Sequence, residues 1–258
     1  MSRARWLARE IVPPLVGIAG VVAIWALVAA TTSSSAIPSP AVVWSAFLAG
    51  MRDGSLPEAA LKTLIRLAFS FVVAVALGVV LGIVLALNGL ARRAIRPLIV
   101  ALQITPFVAW VPLAVIWFGA TERAVVFVAI VGSFPAMTLA TLQAVRQVPP
   151  LWERTGRTLG ARGWTLYRKV VFPAALPGVM AGLQQAWGFA WKALMAGEVI
   201  VAAAHAGLGH LIARPGTTVP TLLAALGVIL VIGVAVDYLL FGQLDRRIRR
   251  RRGLLIET

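Results

Sequence analysis

Lys192 and Glu198 place two charges inside a long apolar segment near the C-terminal end of the chain. A charge in a membrane helix costs roughly 2.5–3.5 kcal/mol on insertion scales, so it should face a partner, the bundle interior or a water-filled cavity. Gln184 precedes both at helical spacing, which predicts that the three lie roughly along one side of a helix, with Gly188 and Met195 between them. That side is predicted to line a pathway.

Lys192 and Glu198 are six residues apart, so they are not neighbours within one helix and any partner comes from another helix or subunit. The competing interpretation of Glu198 is a hydrated carboxylate at the outer interface. Gln103 and Trp110, from an earlier apolar segment, complete the residues expected to line the pathway.

The side-chain patterns of enzymes and metal centres are missing from the sequence. No G-x-x-x-x-G-K-[ST] nucleotide loop occurs, and there is no cysteine. The two histidines, His205 and His210, are five residues apart rather than four and are expected in a solvent-facing loop. We therefore expect no catalytic residue, no metal site and no cofactor bound by this chain.

The elements that position these residues are predicted to be membrane helices. Of 258 residues, 60% are hydrophobic and 13% are charged, and the mean hydropathy is +0.91. The apolar runs are continuous rather than alternating, which favours helices over barrel strands. The sequence predicts an all-α polytopic protein with about six transmembrane helices, near 11–31, 64–87, 97–118, 124–145, 174–200 and 219–242.

Prolines fall inside several of these predicted spans and indicate bent helices. Pro106 and Pro112 are expected to interrupt the third span, Pro135 lies in the fourth, and Pro177 lies near the start of the fifth. Bent helices suit a path that opens and closes, although proline is also common in ordinary membrane helices.

The charge distribution indicates orientation. The net charge is +15; with a cytoplasmic N-terminus, 18 basic residues fall inside and five outside, as the positive-inside rule predicts. The five expected outside are Arg52, Lys62, Arg66, Arg123 and Arg214. The predicted organisation is an N-terminal tail and first helix (1–36), an outer-surface segment (37–63), a core domain (64–245) containing a loop at 150–173, and a basic cytoplasmic tail (246–258). That tail is expected to meet anionic headgroups rather than nucleic acid.

The loop at 150–173 combines basic and apolar residues between two apolar spans. Gly160 and Gly163 interrupt it and favour a turn between two short helices. It resembles the EAA loop of bacterial ABC importer permeases: Gly160 takes the glycine position, Val170 the isoleucine, and Phe172-Pro173 the Leu-Pro pair. Arg154-Thr155-Gly156 stand where E-A-A would be, so the acidic residue is absent or displaced to Glu153.

Three further stretches resemble the permeases for taurine, alkanesulfonates and nitrate. They are Ile37-Pro38-Ser39-Pro40 through Val43-Trp44, Trp110-Val111-Pro112-Leu113 through Trp117-Phe118-Gly119, and Glu198-Val199-Ile200 followed by Gly207-Leu208-Gly209. The resemblance implies the type I ABC importer permease fold, working with a second permease copy, two cytoplasmic ATPase subunits and an extracytoplasmic solute-binding protein in a bacterial inner membrane. ATP and Mg²⁺ would belong to the ATPase.

The resemblance further implies that the loop contains a coupling helix seated on the ATPase. The residues expected at that contact are Arg154, Arg157, Leu159, Gly160, Ala161, Arg162 and Trp164. The solute is expected to be a small anion of the sulfonate, taurine, nitrate or bicarbonate type. An ion-coupled secondary transporter or channel that uses Glu198 and Lys192 is the alternative.

Overall fold

The computed structural model describes residues 12–32, 36–201 and 207–243, and its regular elements are all helical within those ranges. The helices are α1 (Val12–Thr31), α2 (Pro40–Arg52), α3 (Ser55–Leu87), α4 (Gly89–Ile104), α5 (Trp110–Phe118), α6 (Glu122–Arg146), α7 (Pro150–Thr158), α8 (Gly163–Leu166), α9 (Phe172–Ile200), α10 (Leu208–Ala213) and α11 (Val219–Val236). One 3₁₀ turn (Phe107–Ala109) precedes α5, and π-helical turns follow α8 (Tyr167–Val171) and α11 (Asp237–Phe241).

Helix α6 is the centre of the bundle, with α3 and α9 packed along it. Small residues allow this close approach: a Cβ on Gly82 of α3 would lie 2.6 Å from Thr141 Cβ, and one on Gly182 of α9 would lie 2.5 Å from Ala140 Cβ. In a membrane, such small-residue contacts replace the hydrophobic driving force that packs helices in water. The position of α9 is therefore fixed by α6 over most of its length.

Four described helices are long and apolar enough to cross a membrane: α1, α3, α6, and α11 with its π-helical turn. Helix α4 and the segment Phe107–Phe118 count as a fifth span if they are taken together. Helix α9, the predicted fifth span, is 29 residues long but carries the polar residues Gln184, Gln185, Lys192 and Glu198, which lower its hydropathy. The all-α polytopic fold predicted from the sequence is confirmed.

The predicted third span, 97–118, is interrupted as expected, but it begins earlier, at Gly89, and consists of two separate helical segments. Its two halves meet at an angle of 93°. Pro106 lies at the break, ahead of the 3₁₀ turn, as expected. Pro112 does not interrupt anything, because it lies in the first turn of α5, where the missing N–H has no intrahelical partner to lose.

The predicted second span also begins too late. Helix α3 starts at Ser55 rather than near residue 64, and at a rise of 1.5 Å per residue its 33 residues extend about 50 Å. Two basic residues assigned to an outside segment, Lys62 and Arg66, therefore belong to this helix. Arg66 is 6% exposed, so it is buried in the bundle and is not a solvent-exposed charge.

Helices α1 and α2 lie at the edge of the bundle. Helix α1 has no buried residue, and the indole N–H of Trp25 donates to the carbonyl of Pro38 at 3.1 Å. Pro40 is the first residue of α2, where its fixed φ suits a helix start. Part of the predicted outer-surface segment is thus helical.

Candidate functional site

Two prolines stand at the start of helix α7 and separate it from the end of α6. Pro149 caps it and Pro150 is its first residue. Glu153 in the first turn accepts a hydrogen bond from Arg157 at 3.2 Å, an i,i+4 pair on the surface of the helix. Glu153, the one acid near the expected E-A-A position, therefore stabilises α7 itself.

Helix α7 ends in a Schellman motif, and Gly160 is its left-handed residue. Ala161 N–H donates to Gly156 O at 2.9 Å, and Gly160 N–H donates to Arg157 O at 3.0 Å, which is the pair of bonds that defines this motif. The φ of Gly160 is +88°, a conformation that strains any residue with a Cβ, whereas the space around it is open. Glycine is therefore needed here for backbone conformation and not for packing.

Gly156 serves the opposite purpose and is buried against the elements that follow. A Cβ at this position would lie 2.8 Å from Leu166 Cδ1 and 3.0 Å from Val170 Cγ2. Val171 in turn packs with a buried cluster from the end of α6 and the start of α9. Helix α7 thus folds back onto α8 and the π-helical turn. The unit that these three elements form packs against α6 and α9.

The exposed side of this unit carries apolar and basic side chains. Leu159 is 82% exposed and Trp164 is 62% exposed, although the ring of Trp164 meets Phe172 edge-on at 5.6 Å. Of the other residues expected at the ATPase contact, Arg154, Arg157, Gly160 and Arg162 are exposed and Ala161 is half-buried. All seven lie in one continuous segment, 154–164, which we call the coupling segment.

Helix α9 presents Gln184 and Lys192 on its exposed face. Lys192 makes no ion pair within the described ranges; its Nζ lies 6.0 Å from the centre of the Phe189 ring. Trp110, at the start of α5, is half-buried and packs on the same apolar cluster as Trp191 of α9. Gln103 is half-buried at the end of α4, one residue before that helix ends at the 93° bend.

Glu198 does not share that exposed face, so the prediction that it lies alongside Gln184 and Lys192 is wrong. Its side chain is fully buried, which also excludes the hydrated interfacial carboxylate. It accepts hydrogen bonds from Thr63 Oγ1 at 2.9 Å, Arg66 Nη1 at 2.9 Å and Gly209 N at 3.0 Å. The expectation that its partner comes from another helix is confirmed, because Arg66 belongs to α3.

Arg66 is shared between two carboxylates. Its Nη2 donates to Glu122 Oε1 at 2.5 Å, and the Glu122 side chain is 56% exposed. Glu198, Arg66 and Glu122 therefore tie α9, α3 and the start of α6 together.

Gly207 and Gly209 have no room for a side chain beside Glu198. A Cβ on Gly207 would lie 2.4 Å from Glu198 Oε2, and a Cβ on Gly209 would lie 2.5 Å from Glu198 Cβ. Leu208 N–H also donates to Thr63 Oγ1 at 2.9 Å. The resemblance that linked Glu198 to Gly207-Leu208-Gly209 thus corresponds to direct contact across the start of α10.

Thr63, Arg66 and Glu122 were not identified from the sequence. In the sequence, Arg66 is an arginine at the edge of an apolar run. A solvated arginine in a loop occupies the same kind of position, so the sequence does not distinguish the two. His210 differs from expectation too: it lies in α10, half-buried, and its buried Nδ1 has no hydrogen bond among the described residues. His205 lies outside the described residues, and the described part of the chain contains no cluster of His, Asp or Glu suited to a metal.

A bundle of apolar helices with a small, exposed, apolar and basic segment between two of its members suits the membrane subunit of a transporter. The sequence of residues 78–250 matches the family of binding-protein-dependent transport system inner membrane components, and the chain belongs to that family.

Curated relatives are similar over most of the chain. A probable ABC transporter permease protein of Brucella melitensis is 30% identical, over 96% of this chain and 98% of the relative. The taurine transport system permease protein of Escherichia coli is 29% identical over 90% of this chain and 88% of the relative. The bicarbonate transport system permease protein of Synechococcus elongatus is 30% identical over 73% of this chain and 71% of the relative.

Solved structures show the same fold. The inward-facing MetNI methionine ABC transporter matches with a TM-score of 0.60 at 19% identity, over 73% of this chain and 93% of the matched chain. An amino acid ABC transporter crystallised with histidines matches with a TM-score of 0.58 at 20% identity, over 80% of this chain and 98% of the matched chain. The type I ABC importer permease fold implied by the sequence is therefore confirmed.

Proposed function

We propose that this ABC importer permease carries a small anionic solute across the membrane by alternating access, driven by a separate ATPase that binds the coupling segment. ATP and Mg²⁺ would be bound by that partner, and this chain would bind no cofactor and perform no catalysis. Closure of two ATPase subunits on ATP would move two coupling segments together, and the packed helices α6 and α9 would transmit the motion to the pathway.

The observation that carries the proposal is the exposure of Leu159 and Trp164 at 82% and 62% beside exposed arginines. These side chains lie at the turn between two short helices rather than on a membrane-spanning helix, and apolar side chains exposed there among polar residues are typical of a protein contact. Leu159, Ala161 and Trp164 would pack in the ATPase, while Arg157 and Arg162 would make polar contacts and Arg154 a further one. Gly160 would shape the segment.

The proposed solute class rests on two observations. Relatives are named for taurine and for bicarbonate, and both solutes carry an acidic group. Lys192 also offers a cation on the exposed face of α9 without a counter-ion from the described residues. A sulfonate, taurine, nitrate or bicarbonate-like anion fits this face, with Gln184, Trp110 and Gln103 as further lining residues.

The assembly that we propose has two copies of this chain, two ATPase subunits and an extracytoplasmic solute-binding protein, in the inner membrane of a bacterium. Both chain termini would be cytoplasmic, on the same side as the coupling segment. The lipid bilayer is the only other partner required, and nucleic acid has no place in this assembly.

The ion-coupled alternative requires a carboxylate that is free to bind and release an ion. Glu198 is fully buried and already accepts three hydrogen bonds, one of them from Arg66. The geometry therefore favours a structural role for Glu198 and supports the ATP-driven mechanism.

Reconstitution in vesicles with and without the cognate ATPase tests the proposal. We expect solute uptake only when the ATPase and ATP are both present. Leu159→Ala/Trp164→Ala should abolish co-purification of the ATPase, whereas Leu90→Ala, which shortens a side chain that is 78% exposed outside the coupling segment, should not. Uptake by this chain alone, driven by an ion gradient, would contradict the proposal.

A further inference from the structure

Four arginines surround a single pocket between the start of α4 and the end of α6. The pocket has a volume of about 380 Å³ and is lined by Arg92, Arg93, Arg96, Pro97, Leu142, Gln143, Arg146 and Gln147. We call it the arginine pocket. Nothing in the proposed transport cycle uses it, because the residues that bind the ATPase lie in the coupling segment.

The positive charge of the arginine pocket is not balanced by the described part of the chain. Arg93, Arg96 and Arg146 form no ion pair there, and Arg92 uses Nη1 to donate to the carbonyls of Leu85 and Ala86 at the end of α3. Guanidinium groups gathered around one cavity repel each other unless an anion lies between them. The pocket therefore has the charge of a binding site for an anion.

An acidic side chain nearby is already engaged. Glu153 lines an adjoining cavity of about 330 Å³ together with Arg92 and Arg146, but its carboxylate accepts a hydrogen bond from Arg157. The adjoining cavity also includes Tyr167 of the π-helical turn. Hence the arginine pocket lies beside the base of the coupling segment, and the single carboxylate of Glu153, which also pairs with Arg157, leaves the four arginines in excess.

The surroundings of the pocket favour a lipid as the source of the anion. Helix α4 exposes Leu90 and Leu98 at 78% and 64%, so apolar surface lies on the same helix that contributes Arg92, Arg93 and Arg96. Pro97 and Leu142 line the pocket itself. Charged donors and exposed apolar surface on one helix match a phospholipid, whose phosphate is joined to acyl chains, better than a free ion.

We propose that the arginine pocket binds the phosphate of an anionic phospholipid. Arginine donates two parallel N–H bonds to phosphate oxygens, and basic pockets between membrane helices suit such headgroups. The assignment to the cytoplasmic leaflet rests on the proposed function, because the coupling segment marks that side. Soluble phosphate offers the same oxygens, so the test separates the two sources.

The experiment is native mass spectrometry of the purified, delipidated full chain with phosphatidylglycerol and phosphatidylcholine supplied in equal amounts. We expect the wild-type chain to retain phosphatidylglycerol. Arg93→Gln/Arg96→Gln should weaken that retention by about tenfold, since each basic residue near the membrane surface contributes to the attraction. Both arginines are exposed and unpaired, so the double variant should fold; Arg96→Gln alone is measured as well.

The matched control is Arg123→Gln/Arg214→Gln, which removes two exposed arginines far from the pocket in sequence. Equal lipid loss in both double variants would overturn the proposal, as it would show attraction by net charge alone. Displacement of the lipid by millimolar inorganic phosphate would overturn the lipid as the source. Unchanged lipid binding with loss of ATPase association would identify the pocket as a protein contact instead.

The lipid measurement requires no ATPase, so the two proposals can fail separately. Loss of ATP-driven uptake with intact lipid selectivity would count against the proposed function alone. Normal ATP-driven uptake by a chain with no preference for phosphatidylglycerol would count against the arginine pocket alone.

Discussion

Arg66 contacts two carboxylates whose surroundings differ sharply, and this difference predicts unequal roles. Glu198 is fully buried, whereas the Glu122 side chain is 56% exposed. A buried pair that loses one partner leaves an uncompensated charge, while an exposed partner is replaced by water at little cost. The stability of the network should therefore depend mainly on Glu198.

Glu198→Gln should lower the free energy of unfolding by about 2–3 kcal/mol, because it removes the buried charge and turns one acceptor into a donor facing Thr63 or Gly209. Glu122→Gln should cost less than about 1 kcal/mol. Denaturant titration of the purified chain in detergent measures both. Equal effects of the two substitutions would contradict the structural role assigned to Glu198.

Gly209 is packed tightly against Glu198, and this packing predicts the effect of a second substitution. Gly209→Ala should destabilise the chain by about 1–3 kcal/mol, since the new methyl group would lie 2.5 Å from Glu198 Cβ and 3.2 Å from the Val199 nitrogen. Gly227→Ala is the matched control, because nothing lies within 4 Å of its Cβ. Thermal unfolding of both variants measures the difference. An unfolding midpoint of Gly209→Ala equal to that of the wild type would contradict the prediction and show that α10 is displaced easily.

At the scale of elements, the coupling segment depends on the backbone of Gly160. Its φ of +88° ends α7 and turns the chain toward α8. Asparagine adopts this conformation more readily than other residues with a Cβ, and alanine pays about 1–2 kcal/mol for it. We expect the amount of co-purified ATPase to be highest for the wild-type chain, lower for Gly160→Asn and lowest for Gly160→Ala. Since a Cβ meets no neighbour there, equal loss in both variants would contradict the backbone explanation.

The two-helix turn of the coupling segment was predictable from sequence because glycine and proline act locally. Gly160 and Gly163 both have positive φ, as a turn between short helices needs. The 93° break after α4 was only partly predictable: Pro106 indicates a bend, but the angle depends on how α5 packs against α6. Similarly, the inward direction of Glu198 depends on Arg66, a residue 132 positions away in sequence.

In the whole molecule, the two faces of α9 differ in burial, and the proposed function gives them different roles. Its buried face packs against α6 and contains Glu198, while its exposed face carries Gln184 and Lys192. The composition indicated the helical membrane fold, since it reflects the whole chain. It did not indicate which side of α9 faces the bundle, because the neighbouring helices decide that.

This difference predicts that Lys192 can be changed without loss of the fold or of the ATPase. Lys192→Met should reduce uptake of an anionic solute at least fivefold at subsaturating concentration, because even in water one charge at roughly 4 Å contributes about 1 kcal/mol. Lys192→Arg should retain most of the uptake, since it keeps the charge. ATPase co-purification and unfolding midpoint should match the wild type in both variants, because Lys192 is exposed and makes no ion pair within the described ranges. Wild-type anion uptake by Lys192→Met would remove Lys192 from the pathway and leave the solute class resting on the relatives alone.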